Sequence, residues 1–183
     1  DQTLSGASGT VAIQLKGLNF IPDVSGTTHD QNLISTLPEE PVLSPGTGVN
    51  GGEIHSTQTS PSAFSFTYTN QGSDDFGFVQ VGTGYFDQSE AFIGKPMSIG
   101  DSLVLAANIA AGKKIKVELI DTAGKKADFY LVGAGGLRNY TLALTGANVE
   151  EGFSNTSIGF INFVVDQTLS GASGTVAIQL KGL

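Results

Sequence analysis

The 183-residue chain has no cysteine and no tryptophan, and only 14% of its residues are charged. The missing cysteine excludes a disulfide framework, cysteine-ligated zinc and thiol catalysis. The missing tryptophan removes the largest aromatic face that a protein can stack against a ligand. The net charge is −8, so the positive surface that attracts nucleic acids or anionic membranes is lacking. We expect neither as a partner.

Sequence signatures of catalysis are also missing. The two histidines, His29 and His55, do not fall in a metal-binding spacing such as HExxH, and no GxSxG motif is present. A glycine-rich run at 133–136 follows a strand pattern, but no helix pattern follows it, as a dinucleotide site would require. We therefore predict that the chain is not an enzyme.

The residues that are present favour β-structure. Glycine occurs 25 times, and apolar and polar residues alternate in several short segments separated by turn residues. The nine predicted strands are 10–16, 63–69, 76–81, 102–108, 114–120, 127–132, 140–144, 158–165 and 175–180. Because many short strands with intervening turns are typical of sandwiches, the sequence predicts an all-β, antiparallel sandwich of about nine strands.

Residues 19–62 have a different composition. They contain five of the six prolines and show weak periodicity, which predicts an irregular Pro/Gly-rich arm or linker with one short helix near 30–36. The predicted organisation is a strand at 1–18 that belongs to or is donated to a neighbouring module, this arm at 19–62, and a β-sandwich domain at 63–183.

An exact repeat joins the two ends of the sequence. Residues 1–18 and 166–183 both read DQTLSGASGTVAIQLKGL, which is an offset of 165 residues (166 − 1). Three origins explain it: a tandem array of near-identical domains, a strand donated to a neighbouring subunit, or an engineered self-complementing strand. The apolar residues of the predicted assembly strand are Val11, Ile13, Leu15 and Leu18 in the first copy, and Val176, Ile178, Leu180 and Leu183 in the second.

Longer stretches resemble a known fold family. The run SLVLAANIAAGKKIKVELIDTAGKKADFYLV, followed by NYTLAL and by IGFINFVVD with SGTVAIQL, resembles the galactose-binding-like jelly rolls. Many carbohydrate-binding modules of secreted bacterial proteins have this form. The resemblance covers residues 64–183 and implies a jelly roll, glycan binding and an extracellular or cell-surface location.

This resemblance also nominates site residues. Without tryptophan, Tyr85 is the best candidate for stacking on a sugar ring, and Arg138, the single arginine, is a candidate clamp for a hydroxyl or carboxylate. Tyr68 is expected to pack in the core instead. Jelly rolls of this type often hold a structural Ca²⁺, and no other cofactor is expected. The candidate calcium ligands are Asp74, Asp75, Asp87 and Asp166, with Glu53 and Glu90 as further carboxylates.

The repeated strand resembles donor-strand exchange in pilins and other surface filaments. It leads to our main hypothesis, a structural subunit or tandem-repeat module of an extracellular fibre, stalk or surface assembly, whose partners are copies of itself. The alternative hypothesis is a carbohydrate-binding module of a secreted adhesin or multidomain protein. We find no transmembrane run in the sequence and expect no membrane insertion.

Overall fold

The computed structural model describes residues 42–47, 53–60, 63–72, 75–82 and 84–180. These residues form two antiparallel sheets that pack face to face, with a two-stranded ribbon beside them. The six-stranded sheet contains, in spatial order, β1 (Val42–Thr47), β4 (Phe76–Gly82), β12 (Ile158–Asp166), β8 (Lys114–Asp121), β9 (Lys126–Val132) and β11 (Asn148–Val149).

The five-stranded sheet contains, in spatial order, β10 (Gly136–Ala143), β7 (Ser102–Ile109), β13 (Ser173–Leu180), β3 (Ala63–Thr69) and β2 (Glu53–Ser60). The ribbon consists of β5 (Tyr85–Phe86) and β6 (Phe92–Ile93). A 3₁₀ turn occupies Leu144–Gly146, and a single helical turn, α1 (Gln167–Ser170), connects β12 to β13. No described helix is long and apolar enough to cross a membrane.

The hydrophobic core lies between the two sheets. Alternate residues of each strand point inward, as the two-residue period of a β-strand requires. Phe163 of β12 and Phe64 of β3 meet edge-to-face across the interface, with their ring centroids 5.4 Å apart. Tyr68 is buried in the same core, as the sequence predicted.

The turn between β8 and β9 shows why these strands pair. The Asp121 carboxylate accepts hydrogen bonds from the backbone N–H groups of Ala123 and Lys125 at 2.8 and 2.9 Å. Gly124 has φ +77°, a conformation that glycine adopts at little cost. The predicted hairpin at Asp121–Gly124 is therefore confirmed.

The predicted all-β, antiparallel jelly-roll sandwich is confirmed, and eight of the nine predicted strands appear with small changes of boundary. The ninth, at 10–16, lies outside the described residues, as does the predicted helix near 30–36. Five further strands were missed: β1, β2, β5, β6 and β11. Three of these have only two residues each, too few to show a periodicity.

The irregular arm predicted for 19–62 needs correction where the structure describes it. Strand β1 pairs with β4, and β2 pairs with β3, so these residues extend both sheets. Strand β2 was not predicted because it lies at a sheet edge and buries a single apolar side chain, Ile54. Edge strands need not alternate apolar and polar residues as strictly as central ones.

The second copy of the repeat belongs to this sandwich. Strand β13 lies between β7 and β3, with a hydrogen-bonded neighbour on each side. Val176, Ile178 and Leu180 are each 2% exposed in the core. The first copy, with Val11, Ile13, Leu15 and Leu18, and the final Leu183 lie outside the described residues.

Candidate functional site: a groove on the six-stranded sheet

The outward face of the six-stranded sheet carries a groove. On β12, the side chains of Ile161, Phe163 and Val165 point into the core, so Asn162 and Val164 point the other way. The groove has a volume of about 530 Å³. It is lined by Asp75, Phe76, Phe78, Lys116, Glu118, Lys126, Asn162, Val164, Asp166 and Thr168.

A row of polar residues crosses the strands on this face. Asn162 lies directly opposite Gln80 of β4 on one side and Glu118 of β8 on the other. Glu118 in turn lies opposite Asp128 of β9, which lies opposite Asn148 of β11. Cross-strand partners on one face are close neighbours, so these residues form one continuous polar line.

A second row, parallel to the first, is more apolar. Val164 lies opposite Phe78 and Lys116, and Lys116 lies opposite Tyr130. Tyr130 is 56% exposed, and Phe76, one step further along β4 on the same face, is 39% exposed. This second row thus has an aromatic residue at each end, Phe78 in the lining of the groove and Tyr130 in that of a neighbouring cavity.

The ribbon β5–β6 closes one end of this face. Phe86 and Phe92 pack against Phe160, with ring centroids 5.7 and 5.5 Å from it. Phe160 lies on the same side of β12 as Asn162. The Phe92 ring lies close to the backbone of Gly159, which has no side chain; a Cβ there would lie 2.8 Å from the ring. The ribbon therefore packs on the outward side of β12, although none of its residues lines the groove.

A buried ion pair lies at the centre of the groove. Lys116 and Glu118 form a salt bridge, and Lys126 lies 4.0 Å from the other oxygen of Glu118. Burial opposes the charged form of Lys116, but the hydrogen bond and charge of Glu118 outweigh it and raise the pKa of Lys116. Burial likewise opposes ionisation of Glu118, yet Lys116 and Lys126 hold its pKa below the ordinary value. Both groups stay charged at neutral pH.

Some buried oxygen atoms on this face have no partner in the described part of the chain. Asn162 is only 7% exposed; its amide donates weakly to Glu118 at 3.4 Å, while its Oδ1 accepts no hydrogen bond there. The same is true of Asp75 Oδ1 and Asp128 Oδ1. An unsatisfied buried polar atom costs roughly 1–3 kcal/mol.

A second cavity adjoins the polar row at its far end. It has a volume of about 520 Å³ and lies where β9 meets β10. Asp128, Tyr130 and Asn148 are among its lining residues. Burial raises the pKa of Asp128. The polar row therefore leads from the first groove into a second depression.

The predicted glycan-contact residues lie elsewhere. Tyr85 is 61% exposed on the ribbon strand β5, and Arg138 is exposed on β10, an edge strand of the five-stranded sheet. Neither residue lines the groove. Their role in glycan contact stays a prediction.

The predicted calcium ligands are engaged in local hydrogen bonds. The carboxylate of Asp75 accepts the N–H of Gln71, that of Asp87 accepts those of Ser89 and Ala91, and that of Asp166 accepts that of Leu169. Among the residues the structure describes, no three acidic or histidine side chains form a metal-binding cluster. Asp74 lies outside those residues, and the calcium site stays a prediction.

Among the groove residues, sequence reasoning selected Asp75 and Asp166, but only as calcium ligands. It did not select the others, although a signal for them exists. In the apolar strand at 158–165, Asn162 is the single polar side chain. In Lys114–Asp121, the charged residues Lys116 and Glu118 alternate with the core residues, so their side chains lie on the outward face of the strand. A polar residue in a central strand of a sheet is a reason to look for a site on its outer face.

Comparisons with known proteins bear on the fold. No family model matches the chain, and no curated protein matches it. A solved structure of the family 11 carbohydrate-binding module of the cellulosomal cellulase Lic26A-Cel5E of Clostridium thermocellum is similar, with a TM-score of 0.50 and 11% identity, over 80% of this chain and 96% of that one.

Two further solved structures resemble the chain. One is the family 11 module from Clostridium thermocellum in complex with a β-1,3-1,4-mixed-linked tetrasaccharide, with a TM-score of 0.51 and 10% identity, over 86% of this chain and 89% of that one. The other is an agarase, AgWH50C, with a TM-score of 0.50 and 11% identity, over 79% of this chain but 24% of that one. The fold is thus the jelly-roll β-sandwich that carbohydrate-binding modules also have.

Proposed function

We propose that the protein is a non-catalytic glycan-binding module and that the groove on the six-stranded sheet is its binding site. The observation that carries this proposal is the groove itself, about 530 Å³ in volume, whose lining includes the polar Asn162 and Glu118 and the aromatic Phe78. Sugars present many hydroxyl groups, which hydrogen-bond to such polar side chains. The similarity in fold to carbohydrate-binding modules supports the proposal.

The layout of the two rows suits an extended ligand. From Phe78 on β4 to Tyr130 on β9 the row crosses three strand spacings, about 14 Å in a sheet with strands about 4.8 Å apart. Aromatic surfaces at its two ends offer apolar faces to sugar rings. The polar line beside them supplies donors and acceptors. We infer that a glycan chain lies across the strands.

The electrostatics favour a neutral glycan. The ammonium groups of Lys116 and Lys126 face the carboxylate of Glu118 and interact with that of Asp128, so two negative charges balance the two positive ones. Asp75 and Asp166, which also line the groove, add negative charge. Acidic polysaccharides would meet repulsion there, whereas hydroxyl groups would find acceptors.

Affinity electrophoresis tests the proposal. We expect the migration of the protein to be retarded in gels containing at least one neutral polysaccharide from a panel of β-glucans, xyloglucan, galactomannan and agarose, and not in polygalacturonate. Asn162→Ala and Phe78→Ala should each weaken binding tenfold or more, about 1.4 kcal/mol. The matched controls are Asn108→Ala and Leu137→Ala, exposed positions on β7 and β10 of the other sheet.

Two results would count against the proposal. One is retention by no neutral polysaccharide. The other is binding that survives Asn162→Ala and Phe78→Ala but is lost on Tyr85→Ala, which would move the site to the ribbon. Incubation of the retained polysaccharide with the protein should release no new reducing ends, because the role proposed is binding without catalysis.

The assembly role remains a second candidate function. The exact repeat of residues 1–18 at 166–183 favours it. A module able to bind glycans and to join its neighbours would serve an extracellular adhesin or surface assembly, as we expect from the sequence.

A further inference from the structure

The second cavity, of about 520 Å³, lies at an uncovered edge of the six-stranded sheet. Residues of β9 line one side of it, and residues of β10 and of the 3₁₀ turn Leu144–Gly146 line another. Strand β11 is too short to cover this edge, because it pairs with Ala127 and Asp128 alone. Beyond Asp128 no described strand pairs with that side of β9, so the cavity is accessible next to Tyr130.

Both rows of side chains on the outward face pass directly from the groove into this cavity. Glu118 lines the groove and lies opposite Asp128, which lines the cavity. Lys116 lines the groove and lies opposite Tyr130, which lines the cavity. Opposite residues on paired strands have Cβ atoms about 4.5–5.5 Å apart. The two depressions therefore adjoin along the β8–β9 pair, and a ligand extended across the strands reaches from one into the other.

The lining of the cavity suits a neutral sugar. Tyr130 is 56% exposed and presents an aromatic face, against which an apolar face of a sugar ring can pack. Thr141 and Asn148 are exposed and bring a hydroxyl and an amide to the cavity. Among the described lining residues, Asp128 is the single charged one, so no positively charged side chain lines the cavity to attract an acidic ligand.

We propose that a glycan chain bound in the groove continues over the edge of the six-stranded sheet and places further sugar units in the second cavity. This inference rests on the glycan binding proposed for the groove, and it adds a preference for chain length. Chains that fill the groove alone make only part of the contacts, whereas longer chains also contact the lining of the cavity. The protein therefore binds long neutral glycan chains more tightly than short ones.

Two variants of the full chain alter the cavity and leave the groove intact. A Cβ added to Gly146 would meet no atom within 4 Å, and its φ is not positive, so Gly146→Phe adds a ring at the cavity without displacing the fold. Asn148→Ala removes a polar group from the lining and adds no bulk. The matched control for the added ring is Asn108→Phe, at an exposed position on β7 of the other sheet.

The probe is a series of oligosaccharides of increasing length, prepared by partial acid hydrolysis of the neutral polysaccharide that retards the protein most strongly in affinity electrophoresis. Isothermal titration calorimetry measures the affinity for each length. Gly146→Phe should weaken binding of the longest chains about tenfold and that of the shortest binding chains less than about twofold. Asn148→Ala should weaken binding of the longest chains about threefold, through the loss of one hydrogen bond. Asn108→Phe should match wild type at every length.

The outcomes separate this proposal from glycan binding in the groove. The proposal is overturned if the affinity of wild type does not depend on chain length, if both cavity variants bind the longest chains as wild type does, or if they weaken short and long chains equally. Phe78→Ala should weaken binding at every length. If it does so while the cavity variants change nothing, the groove binds the glycan and the cavity does not. Retention by no neutral polysaccharide would contradict both proposals.

Discussion

The Tyr68 hydroxyl donates a hydrogen bond of 2.7 Å to the carbonyl oxygen of Ser170, a residue 102 positions later in the chain. This bond joins β3 to the single turn of α1, directly before β13 begins. Burial raises the pKa of Tyr68, so the hydroxyl keeps its proton and acts as a donor. The contact positions the start of the repeated strand in the five-stranded sheet.

Removal of this hydroxyl should be measurable as a loss of stability. Tyr68→Phe leaves the Ser170 carbonyl oxygen without its buried donor, so we expect the free energy of unfolding to fall by roughly 1–2 kcal/mol. Urea denaturation monitored by circular dichroism measures it. Tyr130→Phe is the control, because Tyr130 lies exposed on the outer face of β9. Equal midpoints for Tyr68→Phe and wild type would show that the bond contributes nothing.

The Asp121 carboxylate connects two parts of the six-stranded sheet. Besides the turn residues Ala123 and Lys125, it accepts the backbone N–H of Ser154 at 2.9 Å. Asp121→Ala would leave all three donors without this acceptor, so we expect a loss of at least about 2 kcal/mol in the free energy of unfolding. Asp101→Ala, at an exposed position, should change the urea midpoint little. Similar midpoints for the two variants would contradict this role.

The raised pKa of Asp128 predicts a pH-dependent effect on stability. The folded state binds this proton more tightly than the unfolded state does, so the stability contributed by the protonated group is lost as pH rises above the ordinary value of 3.8. At pH 7 the ionised carboxylate destabilises the fold. Asp128→Asn should therefore raise the melting temperature at pH 7, with a gain that shrinks below pH 3.8.

Asp87 is the control, because its pKa is shifted in the opposite direction to that of Asp128. Its pKa is lowered, chiefly by the hydrogen bond from the Ser89 side chain and then by the N–H groups of Ala91 and Ser89. Asp87→Asn should give no gain at pH 7. If Asp128→Asn has the same effect at pH 7 as at pH 3, burial of the charge is not what perturbs Asp128.

The Lys116–Glu118 pair should show strong coupling. Lys116→Met leaves the largely buried Glu118 carboxylate with Lys126, 4.0 Å away, as its positively charged neighbour. We therefore expect a loss of about 1–2 kcal/mol in the free energy of unfolding. The double variant Lys116→Met, Glu118→Met should recover most of that loss, because neither charge then remains to be desolvated. A double-mutant cycle by urea denaturation measures the coupling. Additive single effects would show that the pair does not interact energetically.

Local patterns account for the parts of the fold that the sequence predicted. The alternation of Ile115, Val117 and Leu119 identified both the strand and its core-facing side. The hairpin at Asp121–Gly124 was predictable because its hydrogen bonds and its positive φ depend on residues adjacent in sequence. Strands of two residues, such as those of the aromatic ribbon, carry no period and were missed.

The groove was not predictable, because it depends on pairing between distant segments. Asn162 lies beside Gln80 and Glu118 only because β12 pairs with both β4 and β8. Tyr85 and Arg138 were chosen for their residue types and their loop-like surroundings, and neither lines the groove. Residue type alone does not tell which side chains share a surface.

The sequence by itself determined that this protein is an antiparallel β-sandwich and that the sequence of one of its strands occurs twice. The alternation of apolar and polar residues and the identity of two segments are properties of the sequence, so both can be recognised without coordinates. The tertiary structure decided that the second copy lies at the centre of a sheet and that the opposite sheet carries the groove. Those facts follow from non-local strand pairing, in which segments far apart in sequence complete each other's hydrogen bonds and hydrophobic core.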